Sequence, residues 1–452
     1  MRWLFLALIA AFIAGDAFGM GMSLVTGFSV KNAILYAIGF ALIFRTALSG
    51  GMKIEFLSLH VAFALLIAYA TLMWMISFGV IHYPGYRMFA MLVTLKTKMI
   101  DPAFMLFGTF YALRTLGDCK WVIGALLLAI AGANVATLAD TAGIAHFGMK
   151  VGDHGPEAGR VFGAFGHAND TGTLIVTVLP GMIAMMVGSH GFRRFVWLGS
   201  VLASGLVLIL TVSRGAFVGG FVGTIWGAYM LRRYVPVQKF LTWGLMAMVG
   251  VMFVVLIAGL VDQQIGNVIT ERLFGQSQSI DMSEASSGRT QIWAELLDRM
   301  ARTPLTFLTG FGWDVYFVMP FRYAPHNHYL NTYFNLGIPG LALFVYIMAR
   351  IVKAARGIVS MADEETRPHV LGFIFGMLAL LVSIIFADLF DPWSYIWLYV
   401  GAMMRIAVLV RQGVEEPAVS ARDVPLKVAQ VHTPALGEGR SAFGGVLAGR
   451  PR

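Results

Sequence analysis

Charge and cysteine are what this sequence has least of. Only 13% of its 452 residues are charged, about half the share usual in a soluble domain. One cysteine is present, Cys119, so an intrachain disulfide is excluded, and no Cys/His spacing points to a structural metal. With 58% hydrophobic residues and a mean hydropathy of +0.75, the shortage of charge also excludes a water-soluble globular chain, a disordered chain and a coiled coil. Paired acids are missing from residues 262–327 as well. Asp262, Glu271, Asp281, Glu284, Asp298 and Asp314 are scattered, and none forms an Asp-x-Asp pair with Mg or Mn spacing. A metal-independent protein without a cofactor is expected.

Long apolar runs fill the space that charge leaves. A helix needs about 20 mostly apolar residues to cross a bilayer, and runs of that kind predict an all-α polytopic membrane protein of about 12 transmembrane helices. Residues 1–139 hold helices 1 to 5, 169–261 hold helices 6 to 9, and 328–410 hold helices 10 to 12. The first run spans 3–26, the second 32–48, the fourth 99–116 and the ninth 240–261. Arg2 followed by the apolar stretch Trp3 to Ile13 resembles a signal peptide, but apolar character resumes after Asp16, which suits a first membrane helix better.

Basic residues exceed acidic ones by 33 − 24 = 9, and in a membrane protein they report orientation. Short loops with Arg193-Arg194 and Arg232-Arg233 read as cytoplasmic. Both termini then lie inside. The tail 411–452 turns to Pro, Glu, Ala and Gly and is expected to be a disordered cytoplasmic extension. An external loop at 140–168 and a larger one at 262–327, between helices 9 and 10, face the other side. Loops this long are usually functional.

The larger loop contains an amphipathic pattern from Ser286 or Ser287, with Ile292, Trp293, Leu296, Leu297 and Met300 on one face. Thr303-Pro304 ends it. Ser287-Gly288-Arg289, Gly310-Phe311-Gly312, His326-Asn327-His328-Tyr329-Leu330 and Leu336-Gly337-Ile338-Pro339-Gly340-Leu341 follow in that order. Upstream stand Gly163-Ala164-Phe165-Gly166-His167-Ala168-Asn169 and Thr211-Val212-Ser213-Arg214-Gly215-Ala216. Together, over about residues 160–345, these resemble the O-antigen ligase and polymerase superfamily.

The resemblance implies a GT-C-like fold and a glycosyltransferase at the periplasmic face of the bacterial inner membrane. Its implied donor is an undecaprenyl-diphosphate-linked glycan. The acceptor is lipid A core in a ligase or another lipid-linked glycan in a polymerase of O-antigen or exopolysaccharide, and these two stay open. Membrane lipid, a flippase and a chain-length regulator are candidate partners; nucleic acid is not. Such a transfer needs positive charge for the diphosphate and a base for the acceptor hydroxyl. Arg214 and Arg289 match the family's arginines, and a guanidinium suits bidentate phosphate contact. His326 matches its histidine, whose neutral imidazole can accept a proton near pH 7. Arg160, Lys96 and Lys98 are further candidates for the diphosphate. Asn327 is expected to orient His326 or cap the next helix, and His328 to stand behind it. Asp388 and Asp391 read as turn and cap residues. A transporter or flippase for a lipid-linked saccharide is the alternative; no pair of matching broken helices favours it.

Overall fold

The structure is a computed structural model. It describes residues 2–16, 18, 20, 23–48, 54–147, 160–234, 289–319, 324–388 and 394–413, within one compact unit, Met1–Glu415. The expected ninth span, most of the larger loop, Ser286, Ser287, Asp391 and the tail beyond Gly413 lie outside the described residues.

Helices dominate what is described. They are α1 (Arg2–Asp16), α2 (Val30–Leu48), α3 (Leu57–Ile76), α4 (Met88–Leu95), α5 (Asp101–Ala112), α6 (Leu116–Thr141), α7 (Ala168–Val187), α8 (Phe192–Thr211) and α9 (Arg214–Met230). Beyond the loop come α10 (Arg289–Arg302), α11 (Leu305–Thr309), α12 (His328–Arg356), α13 (Arg367–Ser383) and α14 (Ser394–Gln412). The described sheet is one short hairpin, β1 (Ser23–Val25) with β2 (Phe28–Ser29). Among the described residues, six helical stretches are long and apolar enough to cross a membrane: Leu57–Ile81, Leu116–Thr141, Ala168–Val187, Phe192–Thr211, His328–Arg356 and Ser394–Gln412. Large apolar side chains such as Phe195, Leu202, Phe221 and Ile225 are exposed on α8 and α9, a surface suited to lipid rather than water.

Two runs differ from expectation. The first helix ends at Asp16 and a hairpin follows, because Gly15 and Asp16 are poor helix formers and Gly27 takes the left-handed turn. The fourth is longer than its apolar run. Residues 88–112 are helical throughout, with a π-helical turn at Lys96–Ile100 joining α4 to α5.

Packing fixes which ends meet. A Cβ on Gly215 would fall 2.5 Å from Phe386, one on Gly219 2.9 Å from the Ala379 carbonyl oxygen, one on Gly223 2.4 Å from Ala379 Cα and one on Gly227 2.3 Å from Phe375. This stripe at every fourth residue lets α9 lie against α13 running the opposite way, the close approach that small residues permit between membrane helices. Gly376 abuts Thr177 and Gly372 abuts Gly181, so α7 is antiparallel to α13 as well. The starts of α7, α9, α12 and α14 and the ends of α8 and α13 therefore share one end of the bundle. At the other end lie Arg2 with Asp118, Lys120 with Glu365 and Arg405 with Glu55. Those basic residues are the ones the loop-charge reading puts inside.

Candidate functional site

The polar end is built from three pieces. The first joins α8 to α9. Thr211 ends α8, Val212 takes a left-handed backbone (φ 46°), and Ser213 caps α9 by accepting from Ala216 N–H. Arg214 follows as the first helical residue and is exposed. Asn169, near the start of α7, holds this elbow: its Oδ1 accepts from Ser213 Oγ at 3.0 Å and from an Arg160 Nη at 2.9 Å. Arg160 Nε donates to the Thr211 carbonyl at 2.9 Å. The Gly-x-Phe-x-x-x-Asn stretch and the Ser-Arg-Gly stretch, far apart in sequence, are thus bonded to each other. Arg160 is 4% exposed and braces the elbow that carries Arg214.

The second piece is a loop docked into a broken helix. Inside α12, Gly337 is non-helical (φ 60°, ψ −161°) and Pro339 follows. Proline has no N–H and its ring clashes with the carbonyl four residues back, so a break here leaves carbonyls to be satisfied elsewhere. Phe311 N–H donates to the Phe334 carbonyl at 2.8 Å and Gly312 N–H to that of Asn335 at 3.1 Å. Gly-Phe-Gly therefore fills the gap that Gly-Ile-Pro opens. Space forces the glycines: a Cβ on Gly310 would sit 2.4 Å from the Asn335 oxygen, and one on Gly337 2.2 Å from the Leu308 oxygen. On the same loop, α10 turns Leu296 and Met300 fully inward while Leu297 stays exposed. Trp293 Nε1 donates to the Pro325 carbonyl at 2.8 Å. That bond ties α10, one turn beyond Arg289, to the residue before His326. His326 is exposed with φ 49°, a conformation uncommon for a non-glycine residue and frequent at functional sites. Asn327 caps α12, its Oδ1 accepting from Leu330 N–H at 3.0 Å.

The third piece is a buried polar network. His328 is 1% exposed, and its Nδ1 meets Asp388 Oδ1 at 3.2 Å. The same oxygen accepts from Asn331 Nδ2 at 2.9 Å, and Asn335 donates to Asn331 at 2.6 Å. Burial would raise the Asp388 carboxyl, but the His328 bond and charge, then Lys98 and Asn331, hold it down to about 2. Lys98 Nζ lies 3.3 Å from both oxygens of Asp314, which is 1% exposed, and 3.5 Å from the Tyr316 hydroxyl. Burial first, then the charges of Asp314 and Asp388, push the Tyr316 hydroxyl up, with Lys98 opposing. Lys96 faces elsewhere. It meets Asp101 Oδ2 at 2.8 Å, and Asn32 and Tyr36 bond the same carboxylate. Two positions apart on a helix, the two lysines face different sides and reach two different carboxylates, and the π turn they stand on is a feature frequent at functional sites.

Asp388, Asp314, Asn331 and Asn335 are the residues that sequence reasoning passed over. Asp388, read as a turn residue, is instead bonded to His328 and Asn331. His328, Asn331, Thr332 and Asn335 lie on one face at helical spacing inside an apolar run, which was the available signal. Among the described residues no three His, Cys, Asp or Glu side chains converge as metal ligands would.

The class of this protein is a many-helix bundle of membrane type, with Arg160, Arg214 and Lys98 at the end where His326 takes a left-handed backbone. Residues 198–345 match the family model described as O-antigen ligase. That stretch carries Arg214, Arg289, His326, Asn327 and His328; Arg160, Lys96, Lys98 and Asp388 fall outside it. No curated protein matches the chain.

Proposed function

We propose that this chain is an inner-membrane glycosyltransferase of about twelve spans that moves a glycan from undecaprenyl diphosphate to an acceptor hydroxyl at the periplasmic face. One observation carries the reading. Arg214, on its braced elbow, lies at the same end of the bundle as His326, and α10, which begins at Arg289, is bonded to the residue before that histidine. In the proposed step His326 takes the acceptor proton as that oxygen attacks the anomeric carbon. The bond from that carbon to the diphosphate breaks, configuration inverts, and Arg214 and Arg289 hold the charge left on undecaprenyl diphosphate. Lys98, paired with Asp314, pins the loop that leads toward His326. Arg160 acts through Asn169 and the elbow, and His328 through Asp388, as positioning residues; Asn327 sets the start of α12. Lys96, spent on Asp101, is left out of the step.

Attack by a hydroxyl without a carboxylate nucleophile supports a single inverting displacement, with arginine in place of a metal ion. The acceptor is lipid A core for a ligase and a lipid-linked glycan for a polymerase. The test is a deletion strain complemented with wild type, Arg214→Ala or Arg289→Ala, with surface glycan resolved on gels and protein level followed by blot. Loss of ligated or polymerised glycan at normal protein level is expected. Unchanged glycan in both variants would overturn the assignment.

A further inference from the structure

At the opposite end of the bundle a second cationic cluster is built, and nothing in the transfer reaction uses it. Arg45 in the last turn of α2 donates to the Tyr111 carbonyl at 3.2 Å, and Arg405 on α14 donates to the Leu113 carbonyl at 2.9 Å. Both guanidiniums thus meet the C-terminal turn of α5. Arg45 feels the charges of both Arg114 and Arg405, and Arg114 is exposed. Arg411 lies 5.5 Å from the centre of the Phe56 ring and Arg405 5.8 Å from that of Phe110. Glu55 answers part of this charge: one oxygen takes Arg405 at 2.9 Å and the other Gln412 at 2.7 Å.

A single cation satisfies a helix C-terminus. Arg45, Arg114 and Arg405 lie close enough to feel one another's charge, and with Glu55 bonded to Arg405 they still make this end a region of positive potential that attracts an anion. The adjoining surface says which anion. Ile43, Phe44 and Leu48 on α2, and Ile54, Leu57 and Val61 at the start of α3, are exposed by 45% to 75%. Apolar surface beside a charged cluster fits an amphiphile, and basic pockets between helix ends are where acidic lipid headgroups bind.

We propose that this end binds an acidic phospholipid. Its phosphodiester lies among Arg45, Arg114 and Arg405, and its acyl chains run along the exposed faces of α2 and α3. The test reads binding rather than glycan transfer, so it stands apart from the activity above. Purified protein is titrated with short-chain phosphatidylglycerol, phosphatidylcholine or inorganic phosphate, followed by native mass spectrometry and thermal melting. Phosphatidylglycerol is expected to stay bound and raise the melting temperature, phosphatidylcholine and phosphate to do neither. Arg114→Gln and Arg45→Gln should each weaken phosphatidylglycerol about fivefold, the effect of one basic residue near an anionic surface, with melting in phosphatidylcholine unchanged for Arg114→Gln. Equal stabilisation by both lipids, an equal shift from phosphate alone, or wild-type affinity in Arg114→Gln would overturn the proposal. The wild-type comparison decides even where Arg45→Gln fails to fold.

Discussion

At the scale of single residues, geometry assigns different work to side chains of one chemistry. Arg214 is exposed at a helix start, whereas Arg160 is buried against Thr211 and Asn169. Arg214→Lys keeps the charge but loses the fork that grips two oxygens at once. It should retain only a small part of the transfer rate, on the order of the 1.5–3 kcal/mol that a charged hydrogen bond contributes, and a transfer assay at saturating donor checks this. Asp388 supplies a pH signature. Its carboxyl is lowered from 3.8 to about 2, so the stability it adds is complete above pH about 4 and drains away as pH falls toward 2. The melting-temperature difference between wild type and Asp388→Asn should therefore shrink as pH falls from about 4 toward 2.

Elements show why the motifs have the spacing they do. Gly310-Phe311-Gly312 and Leu336-Gly337-Ile338-Pro339 are one joint, in which loop N–H groups satisfy carbonyls that the break in α12 sets free. Gly337→Ala would combine a left-handed backbone with a Cβ 2.2 Å from the Leu308 oxygen. It should cost roughly 2–4 kcal/mol or abolish folding, seen as lost expression or a lower melting temperature. Lys98 and Asp314 pin the same loop to the α4–α5 helix from the other side. Asp314→Asn alone takes away the carboxylate that Lys98 meets on this loop and should lower the melting temperature. The double change with Lys98→Met should recover part of the loss, and a double-mutant melting cycle measures the coupling.

Hydropathy, which depends on runs of like residues, made most helices legible in the sequence. It did not show that residues 88–112 form one helix, because Lys96 and Lys98 interrupt the apolar count while each meets a carboxylate in the fold. Nor did it separate Asp388 from an ordinary turn aspartate, since its partner His328 is 60 residues away. The cationic residues proposed for the site could be named from motif order. Their division into exposed, buried and loop-pinning side chains depends on contacts such as Asn169 with Ser213, which no local pattern announces.

Across the whole molecule, scarce charge is sorted to the two ends of an apolar bundle. One end brings Arg214, Lys98 and His326 together; the other gathers Arg45, Arg114 and Arg405 with Glu55. The glycine stripe on α9 and its antiparallel contact with α13 keep the first end in register. The central claim is that His326 is the base for a glycan transfer at that end. Its most direct test uses purified protein in lipid with a defined undecaprenyl-diphosphate-linked glycan and an acceptor, the product being followed by mass spectrometry. Wild type should form the glycosylated acceptor, while stably folded His326→Ala should be slower by about 10² to 10⁴. Product formation at the wild-type rate by His326→Ala would contradict it.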